Sequence, residues 1–191
     1  MDFRYYGHKE KFLVNTKKLP LYVFDIFSTV IALFAVVSVI FTFFIRDVNI
    51  EGPSMNNTLL NGDKVVLTNF NYTPKSGDVV AINAEDKIGK IIIKRVIATE
   101  GQTLKIDYES GQVIVDGVIL NEKYISSPTT KSSNFWDIPS VIPDGYVFVL
   151  GDNRSISLDS RSSEVQLISK DKIIGKAQFI IFPFNRISYI Y

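Results

Sequence analysis

Apolar positions follow two regimes along this chain. Residues 26–45 form a run of twenty without a charge, bounded by Asp25 and Arg46, in which only Ser28, Thr29, Ser38 and Thr42 are polar. Beyond Lys64 the apolar residues come instead in short β-branched runs separated by turns containing Gly, Asn and Asp. As a helix rising about 1.5 Å per residue, the first run matches a hydrocarbon core of ~30 Å. A cleaved leader has a shorter apolar region ending in a small-x-small site, whereas this run ends Phe43-Phe44-Ile45-Arg46. The pattern predicts a retained membrane-spanning helix over 26–45, preceded by a basic segment over 1–25 and followed by one globular domain over 46–191. Five cations (Arg4, Lys9, Lys11, Lys17 and Lys18) precede the span and Arg46 alone follows closely, so the N-terminus is expected in the cytoplasm and the domain outside. This describes a single-pass protein of the plasma membrane, in contact with lipid.

The domain reads as mainly β. Strands are expected at 64–68, 78–82, 91–97, 146–150 and 173–183, with a meander over 103–124 turning at Glu109-Ser110-Gly111 and Asp116-Gly117. No helical period of useful length follows the first run. Residues 126–139 are polar and Pro-interrupted and read as a loop, with Phe135 and Trp136 packing locally. Antiparallel sheets joined by short turns are the predicted architecture.

Composition removes several kinds of chemistry. The chain has no Cys, which excludes a thiol nucleophile, a disulfide framework and Cys-ligated zinc. Its formal net charge of +1 leaves no footprint for nucleic acid. The acidic residues show no ligand spacing, so neither metal nor organic cofactor is implied. The only histidine, His8, precedes the span and is expected across the bilayer from everything after it. A Ser-His-Asp arrangement within this chain is therefore excluded.

Three stretches carry candidate chemistry. Gly52-Pro53-Ser54-Met55 places a serine on a corner where neither strand nor helix continues easily. In Ile91-Ile92-Ile93-Lys94-Arg95-Val96-Ile97, alternation puts Lys94 between Ile92 and Val96 on one face and Arg95 on the other. A lysine in such a run more often guards a strand edge or snorkels to the surface; desolvated by Ile92 and Val96 instead, it would have a lowered pKa and be available as a base. The loop Gly151-Asp152-Asn153-Arg154-Ser155-Ile156-Ser157-Leu158-Asp159-Ser160-Arg161 is denser in Asp, Ser and Arg than a structural turn requires. Asp152, Asp159, Arg154 and Arg161 are expected to pair within it and hold Ser157 rigidly.

Taken in order, Ser54-Met55-x-x-Thr58-Leu59, Gly62-Asp63, Gly77-Asp78-Val79-Val80, Lys94-Arg95-Val96-Ile97 and Gly151-Asp152-Asn153-Arg154-x-x-Ser157-x-Asp159-Ser160-Arg161 resemble the type I signal peptidases of bacteria, in their single-span form. The sequence departs from that pattern at Asn57, where the family usually has Pro, at 98–102, and after Arg161. The resemblance implies a membrane-bound serine endopeptidase on antiparallel β-sheets that removes signal peptides from exported preproteins after small residues, of the Ala-x-Ala type. Ser54 would be its nucleophile and Lys94 its base. Ser157 would orient the Lys94 amine, Asp159 and Arg161 would hold that loop, and Asp152 would pair with Arg95. An extended substrate would lie along Ile50, Gly52, Pro53 and Met55 on one side and Ile91, Ile92 and Ile93 on the other. The alternative within the family is a pilus assembly factor that binds pilin precursors without cutting them.

Overall fold

The computed structural model describes residues 19–191, so the segment carrying the five N-terminal cations and His8 lies outside the described residues. The chain divides into two compact units between Thr42 and Phe43. The first contains most of helix α1, Leu19–Phe44, which begins before the charge-free run and takes in Asp25. Within it Leu21–Val39 is long and apolar enough to cross a membrane, and its side chains are exposed.

The second unit is built on antiparallel strands: β1 (Ile45–Asn49), β2 (Lys64–Thr68), β3 (Val79–Ala84), β4 (Lys90–Thr99), β5 (Leu104–Asp107), β6 (Gln112–Val115), β7 (Val118–Ile119), β8 (Tyr146–Leu150), β9 (Ile168–Ser169), β10 (Ile173–Phe182) and β11 (Ser188–Tyr189). The main sheet runs in the order β1-β2-β10-β3-β4-β8-β9, with β11 added to β10, and β5-β6-β7 form a second sheet. Every pairing is antiparallel. The turns at Gly111, with φ of 73°, and at Asp116-Gly117, with φ of 51° and 77°, fall where the sequence places them. A four-residue helix, α2 (Glu85–Ile88), bridges β3 and β4.

β1 was not expected. Ile-Arg-Asp-Val-Asn is too polar to stand out, yet it pairs with β2 over its whole length as the end strand of the sheet. β4 explains where the site forms. It is buried continuously from Ile92 to Ala98, because it packs on both faces. Ile92 and Val96 join the core cluster of Val80, Ile82 and Val149, whereas Ile93 joins that of Ile50, Met55 and Leu59, and Ile97 that of Phe148 and Leu150. A strand enclosed on both sides normally reads as uninterrupted aliphatics. Lys94 and Arg95 break that rule on adjacent positions.

Candidate active site

Ser54 is held from both directions along the chain. After β1, the Ile50 N–H donates to Asp63 O at 2.8 Å and Ile50 O accepts from the Gly62 N–H at 2.9 Å, while the Ile50 side chain is buried. Gly52 then turns the backbone with φ of 84°, a conformation that L side chains rarely adopt, and its N–H donates to Asn61 Oδ1 at 2.9 Å. On the other side Met55 is sunk in the core with Leu59, whose N–H donates to Met55 O. The serine thus sits on a short turn between two anchored apolar residues, and its hydroxyl faces a cleft of ≈ 490 Å³.

Lys94 meets it there. The Lys94 amine lies 2.9 Å from Ser54 Oγ and 3.0 Å from the carbonyl oxygen of its neighbour Ile93. The side chain is 3% exposed. Burial is the main influence on its proton, lowering the pKa from 10.5 to about 8; Asp159 and Asp152 oppose the shift, and Lys90 and Arg161 reinforce it. At pH 7.5 a pKa of about 8 leaves roughly a quarter of the amines neutral, against about one in a thousand at the ordinary value. Lys94 is thus a buried amine with a lowered pKa in contact with the Ser54 hydroxyl.

The polar loop after β8 supports the pair from beneath. Gly151 opens it at a point without room for a side chain: a Cβ there would lie 2.1 Å from Ser157 Oγ and 2.5 Å from Ser54 O. The Asn153 N–H donates to Ser54 O at 3.0 Å and its side-chain amide donates to Pro53 O at 3.2 Å, fixing the backbone of the serine turn. Asp159 accepts two hydrogen bonds at 2.8 Å from the Arg161 guanidinium and a third from the Gly151 N–H at 3.1 Å. Asp152 accepts from Arg95 Nε at 2.8 Å and from a terminal nitrogen at 2.7 Å, and also from the Thr58 hydroxyl. Arg95 further donates to Gly77 O and Tyr191 O, with the Tyr124 ring 4.0 Å from its centre.

Two expectations need correction. Arg154 forms its ion pair outside its own loop, within which only its Nε donates, to Gly151 O at 3.0 Å. It reaches the Glu122 carboxylate and the Thr129 hydroxyl, both from the excursion between β7 and β8, because Asp152 and Asp159 are already saturated by Arg95 and Arg161. Ser157 does not orient the lysine in this structure. Its buried hydroxyl has no hydrogen-bond partner among the described residues, and the lysine's second partner is Ile93 O. Sequence reasoning also missed Glu122, Tyr124 and Thr129, which stand in no motif of their own. Trp136 packs locally, as expected, donating to Ser160 O at 2.8 Å.

The cleft is lined by all seven residues expected to meet a substrate: Ile50, Gly52, Pro53 and Met55 from the turn, and Ile91, Ile92 and Ile93 from β4. Ile156 and Leu158 from the polar loop, with Val48 and Ile88, add to its apolar lining. Two strand edges beside it have no strand partner among the described residues. β1 ends the sheet, and β4 pairs with β8 only from Arg95 onward, leaving residues 90–94 without a strand partner on that side. No group of acidic and imidazole side chains suited to a metal ion occurs among the described residues.

Comparison with known proteins identifies the family. Residues 23–182 match the family model for signal peptidase, peptidase S26. A probable signal peptidase I-1 from Synechocystis is 35% identical over 163 residues, covering 79% of each chain. A signal peptidase I P from Bacillus subtilis subsp. natto is 30% identical over 177 residues, covering 87% of this chain and 93% of that one. A crystal structure of a signal peptidase I from Enterococcus faecalis V583 aligns with a TM-score of 0.44 at 24% identity, covering 55% of this chain and 97% of that one. The chain therefore belongs to the signal peptidases of the peptidase S26 family, and is a hydrolase of the serine peptidase kind.

Proposed function

We propose that this protein is a membrane-anchored endopeptidase that removes N-terminal signal peptides from exported preproteins through a Ser54/Lys94 dyad. The observation that carries the reading is the 2.9 Å contact between the serine hydroxyl and a buried amine whose pKa is about 8. Neutral Lys94 accepts the Ser54 proton as Oγ attacks the scissile carbonyl. The developing oxyanion is received by the Ser54 N–H. Gly52, two residues earlier, has no side chain to add a second donor, so the backbone alone acts there. Lys94 then gives the proton to the departing amine nitrogen, leaving an acyl-enzyme. Neutral again, it takes a proton from water, whose oxygen attacks the ester, and returns that proton to Ser54 Oγ as the acid product leaves.

The substrate binds as an added strand. Residues preceding the cut extend along 91–93, on the edge of β4 that β8 does not cover, and past 49–53, and alternate side chains enter the cleft between Ile50, Met55, Ile93 and Leu158. Small pockets of this kind suit Ala-x-Ala sequences. The N-terminal cations put the start of the chain in the cytoplasm and the β unit outside.

The test is cleavage of a purified preprotein in detergent or lipid by wild type, Ser54→Ala and Lys94→Ala. Cutting after a small residue, lost in both variants, is the expected result. A folded wild type that binds preprotein or pilin precursor and cuts neither overturns the reading in favour of an assembly factor.

A further inference from the structure

The cleft holds charges that neither the dyad nor its supporting loop uses. Lys90, Glu51 and Glu85 all line it and are exposed, and none forms a salt bridge among the described residues. Of the three, only Lys90 is on the strand that carries the base. The pairing of β4 with β3 runs from Lys90 to Arg95 without a register shift, so Lys90, Ile92 and Lys94 share one face. Four residues separate the two lysines, about 13 Å along the strand. The edge between them is the one left free beside the cleft.

We propose that Lys90 is a specificity residue, whose ammonium receives an Asp or Glu carboxylate about four residues before the residue at the cut. This rests on the peptidase reading and on the substrate lying along 91–93. An extended peptide advances one residue for each residue of the strand beside it. When the attacked carbonyl stands at Ser54 and Lys94, the peptide residue four positions earlier stands beside Lys90. The Lys90 charge lowers the pKa of Lys94, as Arg161 does, against the opposing pull of Asp159 and Asp152. A carboxylate bound at Lys90 offsets that charge, so the same contact that selects the substrate also raises the pKa of the base.

The experiment uses three peptides that differ only at this position, carrying Gln, Asp or Lys, and full-length enzyme in detergent. Wild type is expected to favour Asp over Lys in kcat/KM by about fivefold, the scale of an exposed ion pair. The preference disappears in Lys90→Gln, inverts in Lys90→Glu, returns in Lys90→Arg, and shrinks at 1 M salt. The ratio is taken within each variant, so it does not depend on the amount folded. As a second readout, the acid limb of kcat/KM moves to higher pH in Lys90→Gln, a shift that a merely structural lysine would not produce. An Asp/Lys ratio equal in wild type and Lys90→Glu overturns the proposal, as does a wild type that prefers the Lys peptide. Loss of Gln-peptide cleavage in Ser54→Ala secures the peptidase reading separately, and a wild type that leaves that peptide intact overturns both.

Discussion

Lys94 and Arg95 are consecutive residues on one strand, 3% and 1% exposed, and the protein treats their charges in opposite ways. On the Arg95 face the guanidinium is enclosed by Asp152, Thr58, two backbone carbonyls and the Tyr124 ring. On the Lys94 face the amine finds only a serine hydroxyl and one carbonyl. A buried cation that is paired keeps its charge, and one that is unpaired gives up its proton more readily. Arginine suits the first environment because its planar fork matches a carboxylate and it does not deprotonate; lysine suits the second because it does. One side of β4 is a clamp and the other holds an amine with a lowered pKa.

The strongest way to break the comparison is to exchange the roles. Lys94→Arg keeps a cation beside Ser54 but supplies no lone pair at neutral pH, so cleavage should fall by at least about a thousandfold, as on losing a general base, in a single-turnover assay. Asp152→Ala attacks the other face. It leaves Arg95 buried without its carboxylate and should destabilise the protein by about 3–5 kcal/mol, read by urea denaturation. A loss below 1 kcal/mol would mean that the clamp is replaceable.

A third test measures the cost of the base. The folded pKa of Lys94 lies below its ordinary value, so between about 8 and 10.5 the native state binds fewer protons than the unfolded chain. Stability therefore rises with pH across that window, and below pH 8 the buried lysine costs roughly 3 kcal/mol. Lys94→Met should be stabilised relative to wild type at pH 7, with the advantage shrinking as pH approaches 10.5 in thermal melts. Smallest is Tyr124→Leu, which removes the ring over Arg95 and should cost about 1 kcal/mol while leaving the acid limb of the rate profile in place.

Much of this site could be read in the sequence, because its key residues sit in local patterns that have few solutions. Ile92-Ile93-Lys94-Arg95-Val96 reads as a strand with a cation on each face and Gly-Pro-Ser as a corner, though each alone also fits a solvated surface, and only the order of the motifs brings the two together. Asp159 and Arg161 are two residues apart, so their pairing needs no knowledge of the fold. Arg154 and Glu122 are different: they are 32 residues apart, and the pair exists only because the excursion after β7 folds back beneath the loop. The same holds for Tyr124 over Arg95. Ser157 exposes another limit, since the order of a motif specifies where a hydroxyl is but not which way it points. β1 escaped notice because an edge strand paired on one side needs few apolar residues to form.

The central claim is that Lys94 acts as a neutral amine. It is tested most directly by kcat/KM against pH for an uncharged signal-peptide substrate, which reports the base of the free enzyme. The account predicts an acid limb of unit slope with its midpoint near pH 8. A rate still climbing towards pH 10.5, or one already level at pH 6, would contradict it.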